Sequence, residues 1–343
     1  MPLRLNPRSQ PLAAAVAVLA IAAAGCSSNP VDVPPPTITP ASAAASPPVA
    51  GAPAGTVRPL TVDPRAALFD PATRSLVVLG PGPEGQSALT ILTASAPPRT
   101  VPTPETATAM AGTEDGVLYV STRGGYLRVD VAASTVNRVD VEGEADTDFT
   151  AITRRDDGRL VLGTSDGAVL TLDSDTTVGA RLGIFARVDA LVAQGNTTVV
   201  LDRGQTSVTT VDASGAKAAQ ALRAGEGATT MAADPQGRVL VADTRGDELL
   251  VFGTDPLIMR QRYPVPGAPY GLAGSRGLAW VSQTATNTVI GYDLSTGIPV
   301  EKVRHRTVQQ PNLLAYDDAS GTLYVVSGTG AGVQVITAAA GPR

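Results

Sequence analysis

Residues 229–252, TTMAADPQGRVLVADTRGDELLVF, alternate short apolar runs with tight polar punctuation. The run 230–233 reads as a first strand. Asp234-Pro235-Gln236-Gly237 then places Pro and Gly where a β-turn uses them. The run 238–242 reads as a second strand. Asp243-Thr244-Arg245-Gly246 turns the chain again, and 248–252 reads as a third strand. Runs this short are of strand length, and no long 3.6-residue apolar period interrupts them, so helix is expected to be scarce.

The middle run of this unit recurs along the chain. It appears as Leu76-Val-Val-Leu-Gly80, Leu118-Tyr-Val-Ser121, Leu160-Val-Leu-Gly163, Val199-Val-Leu-Asp202, Leu240-Val-Ala-Asp243, Ala279-Trp-Val-Ser282 and Tyr324-Val-Val-Ser327. The gaps between run ends are 41, 42, 39, 41, 39 and 45 residues. A period of this size with several strands per unit marks the blade of a β-propeller. The expected fold is therefore all-β, a seven-bladed propeller, with six or eight blades as the neighbouring solutions. The last unit offers only three strands, at 312–316, 322–327 and 333–337. The apolar segment 57–62 belongs to no other unit. It is expected to supply the missing outer strand and close the ring, which removes an open sheet edge.

The segment DPQGRVLVADTRGDELLVF (234–252) resembles an NHL repeat, and GLAWVSQTATNTVIGYDLSTG (277–297) resembles a YVTN-type repeat. The resemblance covers roughly residues 60–337. It implies a propeller of the kind found in extracytoplasmic and scaffold proteins, and it specifies fold rather than chemistry. A single tryptophan, Trp280, sets the chain apart from the WD40 class. The layout as a whole resembles conserved mycobacterial propeller lipoproteins, a group without a settled biochemical role.

That layout begins at the N-terminus. Arg4 and Arg8 precede an apolar run at 12–24. The run is too short to span a bilayer, which needs about 20 residues, and it fits the core of a secretory signal. It ends in Ala23-Ala24-Gly25-Cys26, which resembles a bacterial lipobox with Ala23 where Leu is usual. Cys26 is the chain's only cysteine, so an intramolecular disulfide is impossible. A lipidated cysteine carrying two acyl chains anchors stably. From about Ser27 to Gly55 the chain is rich in Pro, Ala, Ser and Thr, a composition that buries too little apolar surface to fold. The expected organisation is a lipoprotein signal peptide at 1–25, a lipidated Cys26 with a disordered tether at 26–55, and a propeller at 56–343. In polyproline II form the tether would reach roughly 90 Å. The expected location is exported, anchored to the outer face of the cell membrane in the envelope.

The net charge of −5 is spread along the chain without basic blocks, which argues against a nucleic-acid partner. In an antiparallel blade, the start of each inner strand lies on the same face as the hairpin between the second and third strands. Two residue sets should therefore meet at one mouth of the central channel. The strand-start set is Arg65, Thr106, Asp148, Arg187, Asp189, Thr229, Tyr270 and Asn312. The hairpin set includes Arg123, Asp166, Arg203, Arg245 and Asp247. From these, Arg65, Asp148, Arg187, Asp189, Tyr270 and Asn312 are the candidate ligand-binding residues, while Arg123-Gly124-Gly125, Asp166-Gly167 and Arg245-Gly246 equally suit tight turns. Charges of both signs mix here, so the charge of a ligand stays open.

Acyl-transfer chemistry of the Ser-His-Asp type needs a histidine base. The only one, His305, falls late in a unit on an expected outer strand. Streptogramin-lyase-like chemistry, another propeller precedent, depends on histidine at the channel and meets the same obstacle. Zinc would need His or Cys clusters, which the sequence does not contain. Calcium is the one metal the sequence leaves open, through Asp148, Asp189 and Asn312. Two expectations follow. The first is a non-enzymatic binding or scaffold module, attached to the membrane by its lipid and holding an envelope protein, glycan or lipid. The alternative is a divalent-metal-dependent hydrolase or lactonase acting at the channel mouth.

Overall fold

Strand pairing in a computed structural model sorts the chain into seven four-stranded antiparallel sheets. The structure describes residues 36–60 and 63–341, within a compact unit of residues 36–343. Six sheets are meanders of consecutive strands: blade 1 over 66–102, blade 2 over 107–140, blade 3 over 149–183, blade 4 over 190–223, blade 5 over 228–264 and blade 6 over 269–306. Blade 7 takes its three inner strands from Pro311–Asp317, Thr322–Ser327 and Val333–Ile336. Its outer strand is Thr56–Arg58. Thr56 pairs with Val335 and Arg58 with Val333, so the expected closure is observed. Among the described residues the only helical turn is a 3-10 turn at Pro83–Gly85.

Alternation along the strands builds the core. The two middle strands of each blade are buried on both faces, as in Leu76-Val77-Val78-Leu79, and outer strands such as Ala218–Arg223 are solvated. Every blade therefore has apolar surface on both sides and needs a neighbour on each. Seven clusters of buried residues result, one in each of the seven gaps between adjacent blades. Leu240 and Val251 meet Val281 and Ile290 between blades 5 and 6. Leu76 and Val78 meet Val326 and Val333 between blades 1 and 7. Stacked aromatic pairs sit in two of these gaps: Trp280 stacks on Tyr316 at 5.5 Å, and Phe69 on Tyr324 at 5.6 Å. With few aromatics in the sequence, the clusters are built chiefly from Val, Leu, Ile and Ala.

Hydroxyls link neighbouring blades near the starts of their inner strands. Thr108 donates to the Phe149 carbonyl at 2.6 Å, Thr150 to Val188 at 2.6 Å, Thr244 to Pro269 at 2.6 Å, and Ser282 to Pro311 at 2.5 Å.

Residues 36–55 form no strand, in keeping with their composition, but they do not hang away from the propeller as a tether would. They lie across its upper face, the face where inner strands start. The Ile38 N–H donates to the Gly204 carbonyl at 2.7 Å, and the Ala54 N–H to the Arg306 carbonyl at 3.0 Å. The physical reason is that propeller loops supply donors and acceptors at the spacing of an extended chain. A proline-rich strap needs few other partners. The signal-peptide and Cys26 readings lie outside the described residues.

Candidate functional site

The upper mouth is built by a repeated irregularity. In five blades the inner strand is out of register near its start, with the break falling at Thr108-Ala109, Thr150, Thr229, Tyr270-Gly271 and Asn312. A bulge re-aims the side chain of its extra residue. In these blades it turns residues toward the mouth that regular alternation would place elsewhere. Blades 1 and 4 pair regularly from their first residue, and there Arg65 and Asp189 lie just ahead of the strand.

The result is a cavity of about 420 Å³. Its rim carries Arg65, Asp189, Arg203, Tyr270 and Asn312. Below the rim the wall is formed around Met110, Ile152, Leu191, Met231, Leu272 and Leu314 from blades 2 to 7 and the small Ala67 from blade 1, of which Ile152, Leu191, Leu272 and Leu314 are themselves buried between blades. These same residues also line the cavity that opens at the opposite face, so they form the waist of the channel.

Asp189 is the acidic group of this cavity. Its side chain is 6 % exposed and lies 2.7 Å from the Arg187 guanidinium and 3.9 Å from that of Arg203. It also accepts the Arg203 N–H at 2.8 Å. Burial pushes its pKa above the usual carboxylate range, against the opposing pull of that N–H and the two arginines. Arg65 donates to the Ala107 carbonyl at 2.9 Å and is otherwise exposed. Asn312 accepts from the Gln310 amide at 3.0 Å.

The strap frames this mouth. Arg203 donates to the Ala41 carbonyl, and Arg245 to the Thr39 carbonyl at 2.8 Å. Ser46 is held by Gln310, whose side-chain oxygen accepts the Ser46 N–H at 3.0 Å, and it donates to the Thr284 carbonyl at 2.5 Å. The Gln310 amide also reaches the Ala44 carbonyl at 3.0 Å, and Asn287 donates to the Pro47 carbonyl at 2.7 Å. The strap thus crosses blades 4 to 7. It touches two residues that shape the rim, Arg203 directly and Asn312 through Gln310. The residues lining the cavity all belong to blades and their loops, so the strap borders the opening without filling it.

Of the six candidate residues, the structure brings Arg65, Asp189, Tyr270 and Asn312 to one cavity. Arg187 joins them indirectly, through Asp189. Asp148 does not line the cavity; it is exposed and pairs with Arg123 at 3.3 Å, which also binds Asp146 at 3.1 Å. The calcium reading required Asp148, Asp189 and Asn312 to converge. Two of the three line the cavity, and the carboxylate among them faces arginine. Among the described residues no group of three or more His, Cys, Asp or Glu is placed to hold a metal ion. His305 lies on the outer strand of blade 6, as expected, with its Nε2 2.8 Å from the Ala339 carbonyl. Sequence reasoning passed over Gln310, and it placed Arg203 in the hairpin set at the mouth without counting it among the six candidate binding residues. Neither carries a local signal, because both are defined by the strap that crosses them.

Fold and mouth together define the class: a seven-bladed β-propeller with a strapped, charged channel mouth. Solved structures share the architecture. A streptogramin B lyase aligns with a TM-score of 0.66 at 10 % identity, covering 82 % of this chain and 96 % of the lyase. A virginiamycin B lyase from Staphylococcus aureus aligns with a TM-score of 0.66 at 9 % identity, covering 82 % and 99 %. U3-55K aligns with a TM-score of 0.68 at 11 % identity, covering 82 % and 97 %. At such identities the likeness is one of fold, which propellers lend to unrelated functions. No protein-family model and no curated protein sequence matches the chain.

Proposed function

We propose that this chain is an envelope lipoprotein, anchored through Cys26, whose propeller acts as a non-enzymatic binding module with its ligand held at the upper channel mouth. The observation that carries this reading is the mouth itself. All seven blades converge on one cavity with a polar rim that carries Arg65, Asp189, Tyr270 and Asn312. Concave cavities of a few hundred Å³ on which several elements converge polar groups are the usual form of ligand sites. The acidic group of the cavity is already held by Arg187, so a role in orientation fits it better than one in proton transfer or metal binding.

A pull-down from native membranes tests the reading, with the wild-type chain beside an Arg65→Gln/Tyr270→Ala double variant of equal melting temperature. A partner retained by the wild type and lost by the variant supports binding at the mouth. A partner retained equally by both removes the mouth from the reading. The anchor is tested separately by Cys26→Ser, which should move the protein from the membrane fraction to the aqueous one.

A further inference from the structure

The propeller holds the strap chiefly by its carbonyls. Arg245 donates to the Thr39 carbonyl at 2.8 Å, Arg203 to that of Ala41, and Gln310 to that of Ala44 at 3.0 Å. Gln309 donates to the Ser46 carbonyl at 3.2 Å and Asn287 to that of Pro47 at 2.7 Å. Every one of these donors is a side chain. Arg203, Arg245 and Asn287 come from the same hairpin, between second and third strands, of three successive blades. Between residues 38 and 47 the strap's N–H groups enter at two points, Ile38 to the Gly204 carbonyl and Ser46 to Gln310. A surface that reads carbonyls accepts proline, which lacks an N–H, at the other positions. Extended proline-rich chains are recognised in this manner because their backbone is already ordered and its carbonyls are free.

Two strap side chains are read individually. Ala41 is the one buried side chain between residues 36 and 55. It sits over Gly227, where an added Cβ would lie 3.0 Å from the Ala41 Cβ. A small residue is therefore required on both sides of that contact. The Ser46 hydroxyl donates to the Thr284 carbonyl at 2.5 Å and accepts the Gln310 N–H at 3.0 Å. Thr39, Ser42, Ala45 and Pro47 point their side chains to solvent. With one small apolar group buried, the strap depends on hydrogen bonds whose net worth is modest, whereas each blade is locked by an apolar cluster on both faces. It belongs to the low-stability end of the molecule, the part that opens first.

We infer that the upper face of blades 4 to 7 is a recognition surface for an extended, proline- and alanine-rich peptide carrying a small residue and, five positions later, a serine. Residues 37–47 are its intramolecular occupant, and a like segment of another protein exchanges with them. The surface borders the channel mouth and is independent of any ligand there. A second copy of this chain is the poorer donor. Six residues separate Pro47 from Ala54, and Ala54 is itself bonded to Arg306, so about 25 Å of chain at most would have to bridge two molecules.

The experiment is fluorescence anisotropy of a labelled peptide of residues 36–48, PTITPASAAASPP, with the full chain in detergent. The attached strap competes at high effective concentration, so the peptide should bind the wild type weakly. It should bind Ser46→Ala and Ala41→Leu chains, whose own straps are loosened, about tenfold or more tightly. The same substitutions placed in the peptide should act in the opposite direction and weaken it about tenfold, the scale of one or two lost hydrogen bonds. Adding Gln310→Ala to the Ser46→Ala chain should remove that gain, because the surface has lost its donor. Melting curves confirm that each chain is folded. Failure to bind either loosened chain, equal binding to wild type and loosened chains, or indifference to substitutions in the peptide overturns the inference. Light scattering showing a wild-type dimer that the peptide dissociates would assign the surface to a second copy and overturn the choice of partner. The Arg65→Gln/Tyr270→Ala chain touches no strap contact and should bind the peptide as the wild type does, so the mouth reading and the peptide surface fail separately.

Discussion

At the scale of single residues, two aspartates do the same work in neighbouring blades. Asp202 and Asp243 end the second strands of blades 4 and 5, and both are fully buried. Asp243 accepts the N–H groups of Glu226 and Gly227 at 2.8 Å and that of Gly246 at 3.0 Å. Asp202 accepts those of Ala186 at 2.8 Å, Gln205 at 2.9 Å and Arg187 at 3.3 Å. One carboxylate thereby ties the loop entering its blade to the hairpin beside it. Gly225 makes room for it: a Cβ there would sit 1.9 Å from the Asp243 carboxylate. Truncating Asp243 leaves three inward N–H groups without an acceptor. Asp243→Ala should therefore cost about 3 kcal/mol, read as a lowered urea midpoint at unchanged slope. Asp243→Asn, which keeps one acceptor oxygen, should lose less.

At the scale of elements, the strap and the bulges decide the mouth. The strap has no strand pairing of its own and is held at discrete points, of which Gln310 is the most heavily used. Its side chain bonds Ser46, Ala44 and Asn312 at 3.0 Å each. Gln310→Ala should release the middle of the strap while leaving its start on Gly204. In hydrogen exchange, protection of the Ser46 amide should fall about tenfold, the effect of one or two lost hydrogen bonds, while the Ile38 amide stays protected. Equal loss at both would mean that the strap comes away as a single unit. The bulges explain why the mouth was only partly legible in advance. Counting alternation from the apolar runs placed Tyr270 and Asn312 at strand starts. It could not show that an extra residue in each strand turns them to one cavity, because a bulge is a register event between two strands.

At the scale of the molecule, stability belongs to the ring. Each of the seven apolar clusters is shared by two blades, so no blade buries its core alone. The join is at blade 7, where Thr56–Arg58 completes the sheet and Arg58 reaches on to the Ala96 carbonyl of blade 1 at 2.9 Å. Deleting residues 56–58 should expose the edge of Val333–Ile336 and lower the melting temperature by roughly 10 °C, with aggregation on heating as the unpaired edge finds other chains. An unchanged melting curve would show that the six uninterrupted blades carry the ring without closure.

The blade count, the closing strand and the convergence of strand starts with hairpins on one face were all readable in advance. They follow from period and alternation, which are properties of a single chain read in order. Charge at the mouth was not readable this way. Asp148, Arg187, Asp189 and Arg203 look alike in sequence, as charged residues near turns. Pairing across loops turned Asp148 to Arg123 and set Arg187 against Asp189. It left Arg65 exposed on the rim and Arg203 tied to the strap. Nor could composition show that residues 36–55 lie on the propeller, because an extended proline-rich segment has the same sequence signature whether or not a surface offers it partners. Only the folded ring supplies them, by bringing Gly204, Arg245, Thr284 and Gln310, more than a hundred residues apart at the extremes, onto one path.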